Sequence, residues 1–341
     1  MNMSSTPDNT NLISHIIYKS EKREFNYYSL VRYAIADSLK ILKVGKGDFV
    51  LTPEYICRDI LSSINSVGAS PVYYKINRDL LPENPELWPD AKVIIAVNYF
   101  GFPQPLEEFE KYSKKTGAVV IEDNAHGFLS KDEEGRWLGL RTDVGIFNFR
   151  KTLNVSDGAG LIINKDAEYK LPDQKKFIGN GFSKSIKMKL RIKRIPIFGL
   201  RILGIAVNLT RFIRKVRTGS EIPPSSKDAE IFIPYMPEPN RDLLKDLSNL
   251  KENNEIKRRK ELYRKVHKWS LPYDLEPVFN EIPDGAVLQG FPFRADDKTA
   301  IAFGVEMRKY GLDTSKWPEL PDLIAQKAPD HYKDVWIVNF L

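Results

Sequence analysis

An α/β protein with a mostly parallel sheet is predicted by three observations. Short apolar runs of the buried-strand kind recur along the first half of the chain, and helical or loop segments of roughly 10 to 20 residues separate most of them. The runs are continuous instead of alternating, as expected of strands covered by helices on both faces. Across 341 residues, 42% hydrophobic and 28% charged, the chain can bury a substantial core. In order, residues 29–44 form the first helix, with Leu30, Tyr33, Ala34, Leu39 and Leu42 near helical spacing, Ser29 as a candidate N-cap and Gly45 at the stop. Strands follow at 48–51, 71–74, 92–97, 118–121, 144–149 and 160–163, with a helix over 106–115 between the third and fourth. In such sheets ligands gather at the carboxyl ends of the strands.

Residues 174–220 break the alternation. This window holds thirteen Lys or Arg and no Asp or Glu, around a mostly apolar centre at 195–210. Beyond Pro223-Pro224 and a proline-rich stretch ending at Pro239, the chain resumes with a charged helix over 241–269, a strand at 290–294, a helix over 298–310 and a turn at Gly311-Leu312-Asp313. The expected organisation is an N-terminal tail (1–25), a large domain (26–235) carrying a basic amphipathic insertion at about 183–220, and a small C-terminal domain (236–341).

Composition excludes several function classes. The single Cys57 rules out an intramolecular disulfide framework, and four scattered His residues offer no paired metal-ligand spacing, so we expect no metal site. Residues 1–11 lack the cationic start and apolar run of a secretory signal, and no run of about 18 apolar residues occurs, so a cytoplasmic protein is expected. The net charge of +7 is local: without the thirteen cations of 174–220 the chain has 39 basic against 45 acidic residues.

Two stretches can carry chemistry. In Val119-Val120-Ile121-Glu122-Asp123-Asn124-Ala125-His126 an apolar strand delivers Asp123 at its carboxyl end, with His126 three residues on. Such an acid either faces a ligand or serves the backbone as a cap or loop carboxylate. In Phe147-Asn148-Phe149-Arg150-Lys151-Thr152-Leu153 a second apolar strand runs into Lys151, and a turn through Asp157-Gly158-Ala159-Gly160 leads to the next strand. Desolvation and the neighbouring Arg150 would favour the neutral amine that forms Schiff bases; the alternative is a lysine pointing into solvent at a strand end.

Together, in this order and at this separation, the two stretches resemble the DegT/StrS-type sugar aminotransferases, pyridoxal-phosphate (PLP) enzymes of fold type I. Other segments fall in the same order: Tyr28-Ser29-Leu30-Val31-Arg32-Tyr33, Leu51-Thr52-Pro53-Glu54-Tyr55, and Val97-Asn98-Tyr99-Phe100-Gly101-Phe102-Pro103-Gln104. Gly290-Phe291-Pro292-Phe293, Gly311-Leu312 and Trp317-Pro318-Glu319-Leu320-Pro321 are similar to its small domain. The resemblance spans about 27–165 closely and 285–321 loosely.

The resemblance implies a large mixed-sheet domain flanked by helices, a smaller α/β domain, and PLP held by Lys151, which would also shuttle the proton. Asp123 would pair with the pyridinium nitrogen and His126 would lie beside the phenolic oxygen, while Asn148, Ser29 and Arg32 are candidates for the phosphate. Four departures accompany it. The connection from Phe149 to Lys151 is two residues shorter than in most members, and Val31 replaces the usual Gly of the phosphate loop. Cys57 stands where an aromatic ring commonly stacks on PLP, leaving Tyr55 or a residue near Phe100 as substitutes. Members usually continue past Leu341, so a shortened small domain is expected.

The implied activity is transfer of an amino group, from L-glutamate, to a nucleotide-linked keto-sugar in amino-sugar or surface-polysaccharide biosynthesis, by a cytoplasmic homodimer. The alternatives are a PLP-dependent sugar dehydratase, against which Lys151 argues because those relatives carry His there, and a non-catalytic membrane-peripheral homologue. For the basic segment three roles compete: a solvated or dimer-facing insertion, an interfacial helix on anionic lipid at the inner face of the membrane through 184–217, and a cationic contact for the nucleotide-sugar diphosphate. Nucleic acid is not expected, since no binding motif accompanies the charge.

Overall fold

The computed structural model describes residues 23–153, 155, 157–164, 169–178, 213, 216–217, 226–235 and 237–341. The expected basic insertion lies outside them apart from Ile213, Val216 and Arg217, and so does most of the expected tail.

Seven strands form the larger sheet: β1 (Arg23–Tyr28), β2 (Phe49–Pro53), β3 (Ser70–Tyr74), β4 (Val93–Val97), β5 (Val119–Asn124), β6 (Val144–Asn148) and β7 (Ala159–Asn164). Their spatial order is β1-β7-β6-β5-β4-β2-β3. The pairs from β3 through β6 are parallel, while β7 runs antiparallel to both β6 and β1. The six strands expected from the sequence are all present. Strand β1 was missed: it takes in Arg23 to Phe25, which the sequence places in the tail. Its residues alternate, with Phe25 and Tyr27 in one apolar cluster and Tyr28 in another, which is the period of an edge strand and not the continuous run of a central one.

Helix α1 (Val31–Ile41) buries Val31, Ala34, Ile35 and Leu39 at spacings of three and four residues. The larger of these side chains, Val31, Ile35 and Leu39, contribute about 1.5–3 kcal/mol each when fully buried. Its N-cap position is Leu30, with no side-chain cap, so Ser29 does not cap it. The Ser29 backbone is instead engaged outside the helix, its N–H donating to the Pro237 carbonyl at 3.1 Å and its carbonyl accepting from Gly158 N–H at 2.9 Å. Helices α2 (Leu61–Ser66) and α3 (Glu107–Thr116) follow.

After 237 the chain adds α4 (Asp242–Ser248), α5 (Glu252–Ser270), β8 (Glu276–Pro277), β9 (Gly290–Arg294), α6 (Asp297–Lys309), β10 (Asp313–Lys316), α7 (Asp322–Ala325) and β11 (Val335–Asn339). A second sheet has the order β10-β11-β9-β8, so β11 pairs on both sides. Leu243 and Leu247 of α4 join Phe147 and Phe149 in a core on the large sheet, whereas Tyr263 and Val266 of α5 pack with Phe291, Phe293 and Phe303 on the small one. Ile256, near the start of α5, still packs against the large-sheet core, so the change of packing partner falls within α5.

Among the described residues no helix is long and apolar enough to cross a membrane.

Candidate functional site

Because β4, β5 and β6 run parallel, their carboxyl ends open on one edge of the large sheet, and the chain leaving each passes through Asn98, Asp123 to His126, and Phe149 to Lys151. Successive side chains of a strand point to opposite faces, which divides the acidic end of β5 in two. Glu122 and Asn124 share one face, and there they serve the fold. Glu122 is fully buried and paired with the Arg141 guanidinium at 2.8 Å, and Asn98 donates to it at 2.8 Å. Asn124 donates to the carbonyls of Gly127 and Leu138 at 3.0 and 2.8 Å.

Asp123 points the other way. One of its oxygens accepts the Ala125 N–H at 3.0 Å. Burial pushes the carboxyl above the ordinary aspartate range, opposed by that N–H and by the positive field of Lys151.

His126 and Lys151 meet directly, with His126 Nε2 2.7 Å from Lys151 Nζ. The other ring nitrogen decides what this contact is. Phe100 N–H donates to His126 Nδ1 at 3.1 Å, so Nδ1 is an acceptor and the proton of the neutral ring sits on Nε2. Nε2–H must then donate to Lys151, whose amine can accept only when uncharged. Burial, first, and then Arg150 push the Lys151 amine below the usual lysine range, against the pull of Cys57, Asp123 and Asp59. Burial and Lys151 hold the imidazole well below its ordinary value. The contact with His126 calls for an amine that accepts, and burial moves the proton affinity of the amine downwards, in the direction that favours it; with its amine on His126, Lys151 does not take the solvent-facing alternative.

The aim of the Phe100 N–H comes from a strained turn. Phe100 has φ of 54° and Gly101 φ of 101°. A Cβ on Gly101 would lie 2.8 Å from the Val287 carbonyl oxygen and 3.3 Å from that of His126, so only glycine lets these backbones approach.

Aromatic rings wall the site. Phe100 stacks beside His126 with ring centroids 5.7 Å apart, and Trp317 meets His126 edge-on at 4.8 Å and Phe100 at 5.0 Å. Tyr55 is fully buried behind Trp317: its hydroxyl donates to the Trp317 carbonyl at 2.7 Å, and Tyr99, Trp317 and Tyr332 surround its ring. Cys57 lies close enough to Lys151 for each to affect the other's proton affinity, and burial raises its thiol.

The residues expected around a phosphate are engaged within the protein. Arg32 pairs with Asp59, Asn148 accepts the Arg150 N–H at 3.1 Å, and Ser29 is buried. The side-chain groups that sequence reasoning overlooked, Arg141, Asn98 and Asp59, act through contacts between segments distant in the chain. The expected active-site residues Lys151, His126 and Asp123 come together at one strand edge.

Comparison with known proteins places this geometry in context. The model of the DegT/DnrJ/EryC1/StrS aminotransferase family matches residues 33–210, just over half of the chain. Among solved structures, a sugar aminotransferase of Streptococcus pneumoniae in its PLP form is 15% identical, with a TM-score of 0.60, over 98% of this chain and 86% of its own. Helicobacter pylori PseC, an aminotransferase involved in the biosynthesis of pseudoaminic acid, is 14% identical with a TM-score of 0.56, over 93% and 81%. The Escherichia coli GDP-4-keto-6-deoxy-D-mannose-3-dehydratase with bound hydrated PLP is 16% identical with a TM-score of 0.57, over 93% and 83%. At these identities the shared property is the fold.

Proposed function

Because the chain belongs to the DegT/DnrJ/EryC1/StrS aminotransferase family, we propose that it uses PLP to transfer an amino group, from L-glutamate, to a keto-sugar carried on a nucleotide. The observation that carries the reading is the Lys151 amine held 2.7 Å from His126 Nε2 at the strand edge that also presents Asp123. These residues fit the cofactor. A neutral, desolvated amine is the form that condenses with an aldehyde, and a buried carboxyl of raised proton affinity gains a partner when a cationic ring N–H arrives.

PLP, when bound, supplies an electron sink for the carbon that carries the amine. The protein supplies the rest. Asp123 would hold the ring nitrogen and favour its protonated form, Lys151 Nζ would hold the cofactor and move the proton at the substrate carbon, and His126 Nε2–H would donate to the phenolic oxygen. Ser29, Asn148 and Arg32 are the residues we assign to the phosphate, at the first turn of α1 where backbone N–H groups favour an anion; Arg32 would exchange its pairing with Asp59 for this contact. Trp317, backed by Tyr55, closes the site on the side of the small sheet. The same reading makes the protein a cytoplasmic homodimer of amino-sugar or surface-polysaccharide biosynthesis.

Protein mixed with PLP is expected to gain a visible absorption band that Lys151→Ala loses and that L-glutamate converts to the pyridoxamine form. A protein that stays colourless and retains no PLP sinks the reading. A dehydratase shares the fold, and ¹⁵N-glutamate separates the two activities: transfer leaves the label in the sugar, dehydration does not.

A further inference from the structure

Lys151 lies in a turn outside any strand or helix, and the turn is closed locally by the N–H groups of Thr152 and Leu153, which both donate to the Phe149 carbonyl at 3.1 and 2.7 Å. The carbonyl of Thr152, the next residue, is taken from far away in the chain. Arg259 of α5 donates to it through Nη2. The same guanidinium is 1% exposed and donates through Nη1 to the carbonyls of Leu288 and Gln289 at 3.0 and 2.9 Å, and through Nε to Glu255 at 2.8 Å. One rigid planar fork therefore fixes three backbone carbonyls from two separate segments.

Both segments lead to the reactive amine. Thr152 is the covalent neighbour of Lys151. From the other segment, Gln289 N–H donates to the Phe100 carbonyl at 2.9 Å, Phe100 N–H donates to His126 Nδ1, and His126 Nε2 meets Lys151 Nζ. Arg259 thus stands where the backbone route and the imidazole route converge. A buried cation is expensive to desolvate, and an apolar side chain would fill the same space at less cost; what the apolar side chain could not do is hold these carbonyls in register.

We propose that Arg259 is a positioning residue for Lys151: by clamping the Thr152 carbonyl together with the Leu288 and Gln289 carbonyls, it sets where the amine meets His126. The proposal rests on the reading of Lys151 as the amine that captures PLP, and the test separates the two.

Three measurements on the full chain compare the wild type with Arg259→Met and Arg259→Lys. The first is the rate at which Lys151 captures PLP, trapped with borohydride and located by peptide mass. The second is affinity for pyridoxamine 5′-phosphate, which has no aldehyde and forms no bond to the lysine. The third is the pH profile of Lys151 acetylation in the cofactor-free chain. Arg259→Met is expected to slow capture about 10-fold, the scale of a displaced reacting group, to leave pyridoxamine phosphate affinity within about twofold, and to move the acetylation midpoint up towards that of a free lysine. Arg259→Lys should recover part of each change. Unaltered capture and acetylation in Arg259→Met overturns the proposal, and so does an equal loss of pyridoxamine phosphate affinity, which marks a general collapse of the site. Should Arg259→Met fail to fold by circular dichroism, Arg259→Lys decides: about threefold slower capture supports the clamp and wild-type capture overturns it. If the wild type captures no PLP while the acetylation midpoint still moves, the cofactor reading fails and the clamp stands.

Discussion

Burial lowers the proton affinity of the Lys151 amine, and that comes at a cost to the folded protein. Its proton affinity is depressed in the native state, while in the unfolded chain it returns to about 10.4. Between the depressed value and about 10.4 the unfolded state binds the extra proton, so stability rises with pH through that window and the penalty is fully present below it. Lys151→Met removes the titrating group and retains most of the apolar stem. We expect the cofactor-free variant to melt roughly 2 °C higher than the wild type at neutral pH, in keeping with the usual trade of stability for a reactive site. The difference should narrow as the pH is raised towards 10. Thermal unfolding at a series of pH values measures this, and a difference that is independent of pH would place the cost elsewhere than in the charge.

At the scale of the strand, β5 shows how far a sequence can be read. Glu122 and Asp123 are adjacent carboxylates, yet the strand period gives them opposite employment. Glu122→Gln breaks the buried pair with Arg141 and leaves a guanidinium only 3% exposed with the longer 3.7 Å contact to Asp132 as its remaining carboxylate; a destabilisation of roughly 1–3 kcal/mol, below that of a wholly unpaired buried charge, is expected from denaturant unfolding. Asp123→Asn should leave stability nearly unchanged, because burial already disfavours the charged form, and should instead abolish PLP retention, measured by equilibrium dialysis. The site at the ends of β5 and β6 was legible because an apolar run, an acid at its end and a lysine after the next run are all local patterns. Strand β1 was missed because its edge position calls for alternation, and its pairing partner β7 lies more than 130 residues away. Ser29 was misjudged as a cap because any Ser before a helical pattern has the right chemistry, and only the bonds to Pro237 and Gly158 place it outside the helix. Arg259 was invisible for a related reason: in the sequence it is one cation in a charged helix, and its burial depends on carbonyls from residues 152, 288 and 289.

For the whole molecule, the question is what joins the two sheets across the site. Trp317, which precedes β11 and walls His126, belongs by packing to the large-sheet core as well, and its carbonyl accepts from Tyr55. Tyr332 likewise accepts the Ile76 N–H at 2.9 Å. Beneath them Arg58, in the short 3-10 turn that leads from β2 to α2, lies 2.7 Å from Asp322 and 3.4 Å from Glu319 and Glu230, with 9% of its side chain exposed. Its N–H also donates to the Glu319 carbonyl at 2.9 Å, a bond that a side-chain replacement leaves in place. Arg58→Met therefore isolates the charge network. It leaves three carboxylates without their shared cation, all in partial contact with water at 20%, 40% and 63% exposure for Glu230, Glu319 and Asp322, so a loss of roughly 1–3 kcal/mol is expected, between the values for exposed and buried pairs. Repulsion between those acids is screened by salt, and raising the ionic strength should return part of the loss. The effect should also reach the active site, because the segment from Trp317 to Asp322 carries the ring that packs on His126: Arg58→Met should release PLP faster than the wild type, and salt should slow the release again. Stopped exchange of bound PLP at low and high salt checks the coupling. A variant that loses stability while its PLP release stays that of the wild type at both salt concentrations would show that the network ties the sheets together without holding Trp317 in place.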